Sequence, residues 1–202
     1  MKILETIVIG AGQAGLAAAS YLKKNQVNYL ILEATNQIGG SWHHYYDSLK
    51  LFSPAAYSSL PDLSFPKTAH AYPLRNEVID YLKSYAAKFN FPIQLNESVI
   101  NVTPIEQGFE VLTSQNNRYQ TKTLIAASGA FAQPYIPQIK GLDKFKGKII
   151  HSASYLNPQN YINQKIVVVG AANSAVQIAA ELGASSNVTI ASREKIKFFP
   201  QK

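Results

Sequence analysis

Two stretches of this chain follow one plan. Residues 6–15 read TIVIGAGQAG, and residues 165–175 read KIVVVGAANSA. Each is an apolar, β-branched run that stops at a glycine and passes into small residues. Such a run suits a buried parallel strand, and the glycine suits a tight turn into a helix. A chain of 202 residues is long enough for one or two domains. A strand–turn–helix unit used twice directs it to the α/β class.

The first copy gives a full β-α-β reading. Gly10, Gly12 and Gly15 form G-x-G-x-x-G, with Ala11, Gln13 and Ala14 between them. The first glycine permits the turn, the second lets backbone approach a pyrophosphate, and the third lets helix and strand pack closely. The helix that follows carries Leu16, Ala19 and Leu22 on one face. Its free N–H groups and positive dipole end favour phosphate. Tyr29–Leu32 reads as the second strand, ended by Glu33, 18 residues after Gly15. A carboxylate there accepts bonds from ribose hydroxyls and repels a 2′-phosphate. The three glycines alone could be a turn with no ligand; the strand, the helix and the spaced acid favour a dinucleotide site. Beyond Glu33 and Ala34, the stretch EATNQIGGSW adds Gly39 and Gly40, then Ser41 and Trp42. This extended pattern resembles the FAD-binding domains of two-dinucleotide-binding flavoproteins; an NAD site is the alternative.

Composition narrows the chemistry. There is no cysteine, which excludes disulfides, thiolate metal sites and cysteine nucleophiles within these residues. The formal charge of +7 is spread over scattered lysines, clustered only at DKFKGK, and reads as solvated surface with no nucleic-acid partner. No signal peptide and no membrane span are read, so a cytoplasmic location is expected. The four histidines are His43, His44, His70 and His151; His43 and His44 would diverge on a strand, and no metal is expected. No G-x-S-x-G elbow is present.

The middle of the chain is expected to be an ordered, proline-punctuated loop rich in aromatics (Tyr45, Tyr46, Phe52, Tyr57, Phe65, Tyr72), available to wall a flavin ring. An amphipathic helix follows, with Asn76 as N-cap and Val78, Leu82, Tyr85, Ala86 and Phe89 as core. Three strands are then read as a β-meander, turning at Gln107-Gly108 and Asn116-Asn117. The last, Leu124–Ala127, should rejoin the parallel sheet and end at Ser128-Gly129, where a cofactor can be touched. Val99, at the start of the meander, is a further candidate contact.

Four landmarks occur in order: GAGQAG, GGSW, SGAFAQPYIP and FKGKIIHSASY. The last fits F-x-G-x-x-x-H-x-x-x-aromatic through Phe145, Gly147, His151 and Tyr155. Over essentially its whole length the chain resembles the N-terminal part of the flavin-containing monooxygenase family, in the bacterial branch named CzcO-like. The resemblance implies FAD reduced by NADPH, reaction with O₂ to a peroxide adduct at flavin carbon 4a, and oxygenation of a small-molecule substrate at nitrogen or sulfur, or beside a ketone. It leaves the substrate open and a homodimer open, and names no catalytic side chain.

The second copy carries Gly170, Asn173 and Ser174 as candidate contacts, with Ser192-Arg193 where the first copy has Glu33. A guanidinium suits a 2′-phosphate, so NADPH is expected here, with an ordinary surface arginine as the alternative. Ala175 at the third glycine position fits the fingerprint; Ala172 at the second is a departure that intrudes on the pyrophosphate. The expected organisation is an FAD-binding Rossmann-like domain over 1–160, then the first β-α-β unit of a truncated Rossmann-like nicotinamide domain over 161–202. Three functions stand: an FAD- and NADPH-dependent monooxygenase, a flavin-binding remnant that needs a partner, and a flavin-linked NADPH reductase.

Overall fold

A computed structural model of the chain describes residues 3–129 and 133–194. The centre of the SGAFAQPYIP landmark and the last eight residues therefore lie outside the described part. Contacts divide the chain into two compact units, one over Met1–His44 and Lys50–Gln133, the other over Tyr45–Leu49 and Pro134–Lys202. Residues 134–160, placed by sequence with the first domain, group with the second unit.

The first unit is built on one six-stranded sheet. Its elements are β1 (Leu4–Ile9), α1 (Gln13–Lys24), β2 (Tyr29–Leu32), α2 (Arg75–Phe89), β3 (Ile93–Gln94), β4 (Val99–Ile105), β5 (Gly108–Thr113) and β6 (Arg118–Ala126). The strand order is β3-β2-β1-β6-β5-β4. β1 lies parallel between β2 and β6, whereas β4, β5 and β6 run antiparallel as a meander. Nine-residue β6 serves both: its first half pairs with β5 and its second half with β1. Ile7 and Val8 of β1 are fully buried on opposite faces. Val8 packs with Leu16 and Ala19 of α1 and with Val78, Leu82 and Tyr85 of α2. Ile7 packs with Leu32 and Val111 on the other face.

The expected helix over residues 76–89 is present as α2, but Asn76 is not its cap. Leu74 holds that position, and the Glu77 carboxylate reaches back to accept the Leu74 N–H at 2.8 Å. Asn76 instead accepts from Arg75 Nε at 3.2 Å. The proline-rich loop contributes to the core: Phe65 stacks on Tyr81 with ring centroids 4.0 Å apart, and the Tyr81 and Tyr85 hydroxyls donate to the Leu63 and Pro61 carbonyls. His43 and His44 lie on a short 3₁₀ turn (Gly40–His44), not a strand.

The second unit contains β7 (Lys165–Val169), α3 (Asn173–Gly183) and β8 (Asn187–Ala191). β7 and β8 pair in parallel. Ile178, Ala179 and Leu182 on one face of α3 are buried, as is Tyr155. Among the described residues no helix is long and apolar enough to cross a membrane, and no group of three acidic or histidine side chains is placed to hold a metal.

Candidate dinucleotide sites

The first glycine loop joins the carboxyl ends of β1, β2 and β6. Gly10 N–H donates to the Leu32 carbonyl at 2.8 Å, and Ala127 N–H donates to the Ile9 carbonyl at 2.9 Å. Gly39 N–H reaches the Ala11 carbonyl at 3.2 Å, bringing the GGSW turn onto the loop. Carboxyl ends of parallel strands are where α/β sheets bind ligands. Gly10, Ala11, Gly12, Glu33, Gly40, Ser41 and Gly129 are thus brought together. Gln13 and Ala14 stand exposed in the first turn of α1, Ala34 and Ser128 are exposed beside the strand ends, and Trp42 packs its ring against the core.

Glu33 is buried at 4% exposure, yet its carboxylate is well supplied with donors. Ala11 N–H donates to one oxygen at 2.7 Å; the Thr35 N–H and hydroxyl donate to the other at 3.0 and 2.9 Å. A carboxylate has about four lone-pair positions, so three donors leave it able to accept one more. Asn96 and Glu97 N–H groups donate to the Thr35 and Glu33 carbonyls, both at 2.8 Å, which lays the lead-in to β4 beside the acid. Val99 itself turns its side chain to the cluster of Ile7, Leu32 and Val111.

The three glycines have different reasons to be glycine. Gly10 has φ +106°, and a Cβ there would meet the Ala127 carbonyl oxygen at 2.5 Å. At Gly15 a Cβ would meet the Gly10 carbonyl oxygen at 1.9 Å. Protein alone explains both. Gly12 has φ −82° and ψ −171°, extended backbone open to any residue, and the nearest atom to its Cβ position is Gly40 Cα at 4.0 Å. Neither conformation nor packing requires glycine there. The open space over Gly12, bordered by Gly40, is a cradle that a Cβ would fill and a pyrophosphate fits.

The second loop repeats the backbone of the first. Gly170 has φ +119° and donates to the Ala191 carbonyl at 2.8 Å, as Gly10 does to Leu32. Ala172 has φ −78° and ψ 173°, nearly the torsions of Gly12. The alanine is therefore unstrained; what it changes is the volume above the loop. Asn173 and Ser174 begin α3, exposed. Arg193 lies exposed just beyond the end of β8.

Helix caps separate these two loops from the rest of the chain. Gly12 and Ala172 cap α1 and α3 with no side-chain acceptor, and neither first turn holds an acidic residue. Their N–H groups stay available to an anion, whereas Glu77 serves the start of α2. Sequence reasoning missed Thr35, legible only as a hydroxyl two residues past the acid. It named Tyr46 only among aromatics available to wall a flavin; the Tyr46 hydroxyl donates to Gln177 Oε1 at 2.7 Å, a pairing that no motif marks.

The chain belongs to the pyridine nucleotide-disulphide oxidoreductase family, whose model matches residues 7–200, and within it to the CzcO-like flavin-containing monooxygenases. It is 41% identical over 198 residues to an uncharacterized CzcO-like oxidoreductase of Geobacillus kaustophilus, covering 98% of this chain and 57% of that protein. A solved flavin-containing monooxygenase from Stenotrophomonas maltophilia superposes with a TM-score of 0.95 at 32% identity, over 99% of this chain and 61% of that one. The bacillithiol disulfide reductase of Staphylococcus aureus superposes at 0.86 with 28% identity, over 98% and 59%. The chain thus spans about three fifths of the length of these three relatives.

Proposed function

We propose that the first loop binds FAD, the second binds NADPH, and the chain forms the cofactor-binding part of a flavin-dependent monooxygenase. The observation that carries the first assignment is Gly12, a glycine that the protein itself does not need. Gly10 and Gly15 shape the loop, Gly40 and Ser41 border the cradle, and the free N–H groups of Gln13 and Ala14 face the pyrophosphate. Glu33 accepts from the ribose, Ser128 and Gly129 follow the carboxyl end of β6, and Val99 follows the Asn96–Glu97 segment that lies beside Glu33. FAD, when bound, supplies the redox chemistry with O₂; the chain's residues hold it, orient it and shield it from water. In the second loop Gly170 shapes the turn, Asn173 and Ser174 offer N–H groups, and Arg193 selects the 2′-phosphate. The substrate is a small molecule.

Two measurements test this. The purified chain should carry FAD, visible as a flavin absorbance spectrum and released on denaturation; a colourless protein that fails to take up added FAD overturns the first assignment. Arg193→Ala should weaken NADPH binding by about 1.5–3 kcal/mol, the worth of a charged hydrogen bond, and leave NADH unaffected. An unchanged preference refutes the role of Arg193. A flavin-linked NADPH reductase is the second reading, favoured by the likeness to the bacillithiol disulfide reductase. These 202 residues supply no thiol pair for it. Oxygen uptake matched to an oxygenated product supports the monooxygenase; NADPH oxidation that needs a disulfide acceptor supports the reductase.

A further inference from the structure

The two loops differ in what holds them. Loop one is locked from within: Gly15 is pressed on the Gly10 carbonyl, Ala11 N–H is tied to Glu33, and Gly39 is tied to Ala11. Loop two lacks the tight third glycine. A Cβ at Gly170 would find nothing nearer than the Ala175 methyl at 4.0 Å, and residues 171–174 are exposed.

A set of tyrosines grips α3 instead. Ser174, Gln177 and Glu181 lie three and four residues apart, and so share one helix face. Tyr46, 4% exposed, donates its hydroxyl to Gln177 Oε1 at 2.7 Å. Tyr155, 2% exposed, donates to Glu181 Oε2 at 2.7 Å. The rings of Tyr46 and Tyr155 lie 6.2 Å apart, and those of Tyr155 and Tyr161 5.7 Å. The segment bearing Tyr46 is itself fixed: Asp47 N–H donates to the Leu156 carbonyl at 2.8 Å, and Asn157 Nδ2 donates to Asp47 Oδ2 at 3.0 Å. Burial pushes the Tyr46 phenol upward, so it stays a donor at neutral pH.

We infer that Tyr46 is a positioning residue for the second glycine loop: its hydroxyl, bonded to Gln177 one turn past the start of α3, fixes that end of the helix in the geometry that receives a dinucleotide pyrophosphate. The inference rests on the reading of that loop as the NADPH site. Holding Gln177 steadies the turn that precedes it, in which the Asn173 and Ser174 backbone N–H groups have no partner within the helix. Tyr155 grips the helix two turns further on, roughly 10 Å from the loop, and steadies the unit without setting the loop.

Tyr46→Phe removes the hydroxyl and keeps the ring. Isothermal titration with NADP⁺ should show about five- to tenfold weaker binding than the parent, the scale of one lost hydrogen bond. FAD content should be unchanged, and amide hydrogen exchange at residues 173–176 faster. Tyr155→Phe should lower the melting temperature by a few degrees while changing NADP⁺ affinity less than about twofold. Parent-like NADP⁺ binding by Tyr46→Phe, or equal weakening by both variants, overturns the inference. A parent that holds FAD but binds no NADP⁺ overturns the reading beneath it. Unchanged exchange at 173–176 then separately overturns the positioning role.

Discussion

Gly12 and Ala172 occupy the same backbone torsions at the same place in the same turn. At this position the two loops differ by one methyl group over a helix start. This separates folding from binding residue by residue. Gly12→Ala adds a Cβ into open space at an ordinary φ, so stability should stay within about 0.5 kcal/mol of the parent. FAD retention should fall sharply, because the methyl occupies the pyrophosphate cradle. Gly15→Ala drives a Cβ into the Gly10 carbonyl and should cost on the order of 1–3 kcal/mol or more. Urea unfolding beside flavin content, measured on both variants, checks the pair; destabilisation by Gly12→Ala would show that the glycine is structural after all. The reverse change in the second loop, Ala172→Gly, should tighten NADPH binding several-fold with little effect on folding, since glycine is tolerated at an N-cap. Fluorescence titration reads it, and unchanged or weaker binding would mean that the methyl does not face the ligand.

Among the α-helices of the described residues, α2 is the one whose start is served by an acid, and that acid gives the fold a pH dependence. Burial pushes the Glu77 carboxyl up, but the Leu74 N–H and the His70 ring and N–H outweigh it and hold it below the ordinary glutamate value of 4.5. A carboxylate bound more tightly in the folded state stabilises fully above its unfolded value, and that stabilisation is lost as the pH falls through the lower folded value. Melting temperatures of the parent and Glu77→Gln should therefore differ at neutral pH and converge in acid below 4.5. A difference that persists in acid would assign the effect to shape alone. The sequence showed this helix through its apolar spacing but not its cap. Asn76 is a good capping residue by type, yet Glu77 reaches two N–H groups from one position. The dinucleotide elements were more legible, because G-x-G-x-x-G, the strand before it and the acid after it depend on local geometry. The double use of β6, antiparallel then parallel, was legible as an apolar run returning to the sheet. Tyr46 was not legible, because its partners lie more than a hundred residues away and only packing brings them together.

At the scale of the molecule the two glycine units differ most in what covers their strands. Ile7 and Val8 of β1 are buried on both faces, between α1 and α2 on one side and the meander on the other. In β7 only alternate residues turn toward α3, and Val167 and Val169 are 63% and 68% exposed. The sequence KIVVV reads as a strand covered on both faces, and the described residues cover one. The boundary between the units was also hidden, since Tyr45–Leu49 belong by contact with residues far along the chain. These facts set an expectation for a polypeptide limited to these 202 residues. Its first unit has a six-stranded sheet, an interlocked loop and an acid able to accept one more hydrogen bond, and should retain FAD. Its second unit offers, among the described residues, two paired strands and one α-helix around the glycine loop. Hydride transfer further requires the nicotinamide and flavin rings within roughly 3–3.5 Å in a fixed orientation, and the described elements of the second unit supply little to fix the nicotinamide. Anaerobic stopped-flow mixing with NADPH should therefore show slow, weakly saturable flavin bleaching. A polypeptide that extends to the full length of the relatives should bleach quickly and with saturation. Rapid saturable bleaching by the 202-residue polypeptide would show that the second unit, alone or paired with another copy, already orients the nicotinamide.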